Sequence, residues 1–122
     1  MFKKCLIGVA DPFIARLIIR FVERMGYEVI LAPLSDCLVD LVESKQPGSI
    51  ILDVDLPGSV SSEQVIQDLQ NSANGSHIPI VLCSWLNNDE AHHKYGNVSG
   101  YIQKSNVHYE ELRDLLNASL GG

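Results

Sequence analysis

The chain has 122 residues, 46% of them hydrophobic and 20% charged, with a formal net charge of −6. That is apolar material for one buried core, which excludes a disordered tail, and the acidic balance excludes a broad basic face for nucleic acid or for an anionic membrane. Cys5, Cys37 and Cys83 make no paired framework and no C-x-x-C; with no apolar run long enough for a membrane span or a signal peptide, the expected location is a reducing cytoplasm.

In chain order, Cys5–Ala10 is a short apolar run that predicts a first strand. Asp11-Pro12 then offers a helix cap and a first-turn proline. From Phe13 to Met25, Ile14, Leu17, Ile18, Phe21 and Val22 recur at helical spacing, and Gly26 stops the helix. Tyr27–Leu31 predicts strand 2. Ser35 or Asp36 is the expected cap of a second helix, which carries Leu38, Leu41 and Val42 and ends before Pro47-Gly48. Ser49–Leu52 predicts strand 3. A helix from about Ser62 carries Val65, Ile66 and Leu69, and Asn71–Ser76 is a polar turn. Ile78–Cys83 predicts strand 4, Asn87–Tyr95 a short polar helix, Gly100–Gln103 strand 5, and Tyr109–Leu120 a last helix turned inward by Leu112, Leu115 and Leu116.

Strands alternate with helices five times, and the strands read as continuous apolar runs. Such a pattern specifies a parallel sheet buried on both faces by helices, in a single domain spanning residues 1–122. In such sheets, sites lie just beyond the carboxyl ends of the strands. Those ends bring Asp11, Asp53 with Asp55, Ser84 and Lys104 to one edge. The stretch IILDVDLPG, residues 50–58, thus ends on acid because its end lies at a site. Clustered carboxylates favour a hard dication such as Mg²⁺. A carboxylate can also act as a nucleophile and form an aspartyl phosphate, with a metal, a lysine and a hydroxyl balancing the charge on the moving phosphoryl group.

With these residues in view, the sequence resembles the receiver domain of two-component response regulators along essentially its whole length. The resemblance is carried by Asp53-Val54-Asp55-Leu56-Pro57, by Asp11 after strand 1, by Ile78-Pro79 leading to Ser84, and by Gly100-Tyr101-Ile102-Gln103-Lys104. It implies a flavodoxin-like (βα)5 fold with strand order 2-1-3-4-5. It also implies Asp53 as phosphoacceptor, Mg²⁺ held by Asp11, Asp53 and the Asp55 backbone carbonyl, and Ser84 and Lys104 in contact with the phosphoryl group. Ser84 and Tyr101 become the switch pair. The implied partners are a sensor histidine kinase or phosphotransfer protein upstream, and a downstream protein or attached output domain. Homodimerisation is a further option, and direct nucleic-acid binding by this domain is not expected.

Four positions depart from the family pattern. Ala10 stands where the first of two acids is usual, which weakens the expected Mg²⁺ site. Trp85 follows Ser84 where a small residue is usual, and an indole there restricts a phosphodonor or covers the phosphoryl group. Ser105 replaces the proline after Lys104, and a cis bond before a non-proline residue costs about 3 kcal/mol. Ser61 stands in place of a loop glycine.

The leading functional expectation is a phosphorylatable signalling switch that accelerates its own phosphoryl transfer and is not a conventional enzyme. The alternative is a pseudo-receiver, the same fold used without phosphorylation as a protein-interaction or dimerisation module. A flavin or nucleotide binder on a similar fold is opposed by the turn Val9-Ala10-Asp11-Pro12-Phe13, which has no glycine-rich phosphate loop and carries an acid. His92-His93 reads as a solvated pair, since adjacent helical residues do not face the same way.

Overall fold

The computed structural model of the chain describes residues 3–73, 75–96 and 98–121, with side chains as far as 117. Strands β1 (Lys4–Gly8), β2 (Glu28–Leu31), β3 (Ser49–Asp53), β4 (Ile80–Ser84) and β5 (Gly100–Gln103) form one parallel sheet in the order β2-β1-β3-β4-β5. The helices are α1 (Pro12–Arg24), α2 (Leu38–Lys45), α3 (Ser62–Asn71), α4 (Asn88–Tyr95) and α5 (Tyr109–Gly121). The expected architecture and strand order are therefore both present. Asn74 of the expected polar turn, and the side chain of Leu120, lie outside the described residues.

Alternate residues of each strand face opposite sides, so each strand feeds two cores. Leu6, Ile50, Leu52, Ile80 and Leu82 pack with Leu38 and Val42 of α2 and Val65, Ile66 and Leu69 of α3. Cys5, Ile7, Ile51, Val81, Cys83 and Ile102 pack with Ile18 and Val22 of α1 and Leu112 and Leu116 of α5. Burying each large aliphatic side chain contributes about 1.5–3 kcal/mol. A sheet loaded on both faces therefore holds its strand ends, and whatever side chains sit on them, on a rigid platform.

Local signals set most boundaries. Asp11 Oδ1 accepts the N–H groups of Phe13 (2.8 Å) and Ile14 (3.2 Å), which caps α1. Ser61 caps α3 by accepting the Gln64 N–H, and Asn87 caps α4 by accepting the Glu90 N–H. Three expectations need correction. Leu17 is 38% exposed, because the inward stripe of α1 is centred on Ile18 and Val22. β1 ends at Gly8 and β4 runs from Ile80 through Ser84, so the pairing of Gly8 with Leu52 and of Ser84 with Gln103, rather than the apolar run, decides where they stop. α2 has no side-chain cap: a 3-10 turn over Ser35–Cys37 leads into it, and Asp36 is turned elsewhere.

Candidate functional site

β3 carries Asp53 out of the sheet on its last residue, paired with Cys83 of β4. The carboxylate is fully buried, with 0% exposure, and every polar partner it needs comes from a neighbouring strand end or turn. Oδ2 accepts the backbone N–H of Ala10 at 2.9 Å, and Oδ1 accepts the backbone N–H of Asp55 at 2.8 Å. The Lys104 ammonium lies 2.5 Å from Oδ1. A buried charge persists only when it is paired and hydrogen-bonded, and Asp53 has both.

Lys104 is held from three sides. Its Nζ also lies 3.0 Å from Asp55 Oδ2 and 5.4 Å from the centroid of the Trp85 ring. Its side chain is 2% exposed, whereas that of Asp55 is 59% exposed. Burial by itself pulls the Lys104 ammonium down, but hydrogen bonds and Coulomb attraction from Asp53 and Asp55 outweigh it and hold the group above its ordinary value. Lys104 N–H donates to the Ser84 carbonyl at 2.8 Å, which ties the turn after β5 to the end of β4. The peptide bond that follows Lys104 is trans.

Ser84 is buried at the end of β4, and its Oγ accepts the Leu86 N–H at 2.9 Å. An accepting hydroxyl keeps its own proton for donation. Asp11 sits at the same edge, where the cap occupies Oδ1 and leaves Oδ2 outside it. Tyr101 is half-buried in β5; its hydroxyl donates to the Gly96 carbonyl and its ring meets His92 edge-on, with centroids 5.8 Å apart. Desolvation pushes its phenol up. His92 and His93 are both exposed. Among the described residues, no three His, Cys, Asp or Glu side chains gather around a point that would hold one ion.

Two participants were not foreseen in these roles. Asp55 was expected to act through its carbonyl, yet its carboxylate clamps Lys104. Asp36, expected as a helix cap, instead accepts the Ser59 N–H (2.7 Å) and hydroxyl (2.8 Å), while the Pro57 carbonyl accepts the Ser35 N–H at 2.8 Å. This anchors the loop after Asp53. Gly58 lies at φ +143°, and a Cβ there would overlap Ser35 Oγ, so the close approach of the two loops requires glycine. Only the D-L-P-G turn pattern hinted at that contact, and nothing local named Asp36 as its partner.

The fold has counterparts of known structure. The receiver domain of a sensor histidine kinase from Pseudomonas aeruginosa, with a magnesium ion coordinated in its active site cleft, superposes with a TM-score of 0.86 over 100% of both chains at 20% identity. The fold is that of a receiver domain. A chemotaxis response regulator of Vibrio cholerae matches with a TM-score of 0.84 at 19% identity, over 98% of this chain and 100% of the other. The N-terminal domain of a three-domain response regulator from Carboxydothermus hydrogenoformans matches with a TM-score of 0.79 at 24% identity, over 99% and 94%. The sequence matches no family model and no curated protein. No helix among the described residues is long and apolar enough to cross a membrane.

Proposed function

We propose that this protein is a phosphorylatable receiver of a two-component relay, with Asp53 as the phosphoacceptor. The observation that supports this most is the buried Asp53 carboxylate at the end of β3, oriented by two backbone N–H groups and paired with Lys104. An Asp53 oxygen bonds to phosphorus as the donor's P–N bond breaks. The freed nitrogen stays on the histidine of a sensor kinase or phosphotransfer protein, and that ring retains or takes up the proton its neutral form needs. Lys104 offsets the negative charge of the moving phosphoryl group, and the Ser84 hydroxyl donates to one of its oxygens. The domain accelerates this transfer on itself and turns over no separate substrate.

Mg²⁺ suits the oxygen-only donors here. Such an ion is commonly held by one or two carboxylates, water and phosphate oxygens, and Asp53, the free Oδ2 of Asp11 and the Asp55 carbonyl offer that set. Bound there, it would supply charge neutralisation between acceptor and phosphate. Ala10 contributes only its N–H, so metal affinity is expected to be low without a phosphate present. The added charge on Asp53 would draw Lys104 off Asp55 and engage Ser84. Those shifts would reach the face around α4, β5 and Tyr101, where a downstream protein or attached output domain docks. Cytoplasmic operation fits the chemistry of the donors.

A second reading, the phosphorylation-independent pseudo-receiver, is favoured by one observation: Lys104 already neutralises Asp53 beneath Trp85. Prolonged incubation with phosphoramidate and Mg²⁺, followed by intact mass spectrometry, separates the two. One phosphoryl adduct, dependent on Mg²⁺ and absent from Asp53→Asn, is expected. Absence of any adduct, with beryllofluoride leaving the amide spectrum unchanged, would favour the pseudo-receiver.

A further inference from the structure

Among the described residues, Trp85 is one of several large apolar side chains left exposed, at 55%, and it alone of them lies over a buried ammonium. The backbone on its two sides is pinned: Ser84 Oγ accepts the Leu86 N–H, and the Ser84 carbonyl accepts the Lys104 N–H. These bonds hold the turn so that the indole lies over the Lys104 ammonium, 5.4 Å from ring centroid to Nζ. Two of the three ammonium hydrogens are engaged by Asp53 and Asp55. The electron-rich face of the indole attracts the same cation. Asp55 is well exposed, yet Lys104 is almost completely sealed. The ring and the two carboxylates together surround the ammonium.

We propose that Trp85 is a positioning residue that latches the Lys104 ammonium onto Asp53 and closes the acceptor pair to small solutes. The residue is 55% exposed and belongs to neither core, so its side chain can swing away without disturbing either. A protein phosphodonor that contacts the exposed indole can displace it. A free small phosphodonor makes no such contact, so it reaches Asp53 only while the latch is open and labels slowly. That consequence for phosphodonors rests on the proposed role of Asp53; the latch itself does not.

The direct test is site-resolved acetylation of lysines in the full chain, using a short pulse of acetylating reagent and peptide mass spectrometry. Lys45 and Lys94, both exposed, serve as internal references. Lys104 is expected to react at least about tenfold more slowly than either. Trp85→Ala should speed Lys104 about two- to thirtyfold, the range set by loss of an ammonium–indole contact, with Lys45 and Lys94 unchanged. Trp85→Phe should restore most of the protection. Trp85→Leu, nearer to phenylalanine in bulk than alanine is but with no aromatic face, should restore little, and it keeps the test open should Trp85→Ala fold poorly. Protection unchanged in Trp85→Ala, or restored as fully by leucine as by phenylalanine, would overturn the latch.

Phosphoramidate labelling of the same variants separates the two ideas. Faster acetylation of Lys104 together with faster labelling of Asp53 in Trp85→Ala supports both. Faster acetylation with no labelling in any variant supports the latch and overturns the phosphoacceptor role. Normal labelling with unchanged acetylation overturns the latch and leaves the phosphoacceptor role standing.

Discussion

Asp53 and Lys104 form one ion pair, but losing either partner should not cost the same. Replacing Lys104 with methionine leaves the Asp53 carboxylate fully buried with no cation. Breaking a buried pair in this way costs about 3–5 kcal/mol; the two N–H groups from Ala10 and Asp55 remain and hold the expected loss near the lower end. Replacing Asp53 with asparagine leaves Lys104 on Asp55, whose exposed carboxylate gives the ammonium a route to water. The remaining cost is one backbone N–H facing an amide NH₂, about 1 kcal/mol. Asp53→Asn/Lys104→Met buries no charge at this position, so it should be more stable than Lys104→Met alone, with a coupling of about 2 kcal/mol. Urea melts followed by circular dichroism measure this, because Trp85 emission sits on the perturbed contact. With a slope of about 1–3 kcal/mol/M, the Lys104→Met midpoint should fall by about 1–3 M. Equal losses in the two single variants, or additive losses in the double, would refute the reasoning.

The remaining predictions concern the platform around the site. Asp36 is held below the usual carboxylate range by hydrogen bonds from Ser59; stability from it is present above its ordinary value of 3.8 and lost as pH falls through the lowered value, so Asp36→Ala should flatten that acid limb and speed hydrogen exchange at the Ser59 amide. Burial pushes the Cys83 thiol up to about 12 and the Cys5 thiol up to about 11, from 9.0. The unfolded chain then releases these protons first, so stability should decline as pH rises above 9, less steeply in Cys83→Ala. At pH 8 a thiol reagent should modify Cys37 in the folded protein, and Cys5 and Cys83 only after unfolding. Gly58→Ala should destabilise by about 1–3 kcal/mol in a thermal melt, since φ +143° and the Ser35 hydroxyl both oppose a Cβ.

Much of this molecule is legible along the chain because its signals are local. Apolar runs, the cap at Asp11, and Gly26 after α1 each act within a few residues, and five repeats of strand and helix leave few ways to fold. The candidate residues at strand ends could be named for the same reason: position along a parallel strand decides which edge a residue reaches. Leu17 was misplaced because periodicity identifies a helix face but not how wide a stripe the sheet covers. What only tertiary structure decided is which partners those residues take. Asp53 meets Ala10 across 43 positions, Asp55 meets Lys104 across 49, and Asp36 reaches Ser59 across 23. Such contacts depend on strand register and loop docking, which sum weak energies over the whole fold and leave no mark on any short stretch. The sequence by itself determined that acids, a hydroxyl and a lysine share one edge; the folded chain decided that the lysine closes over the acid, under the tryptophan.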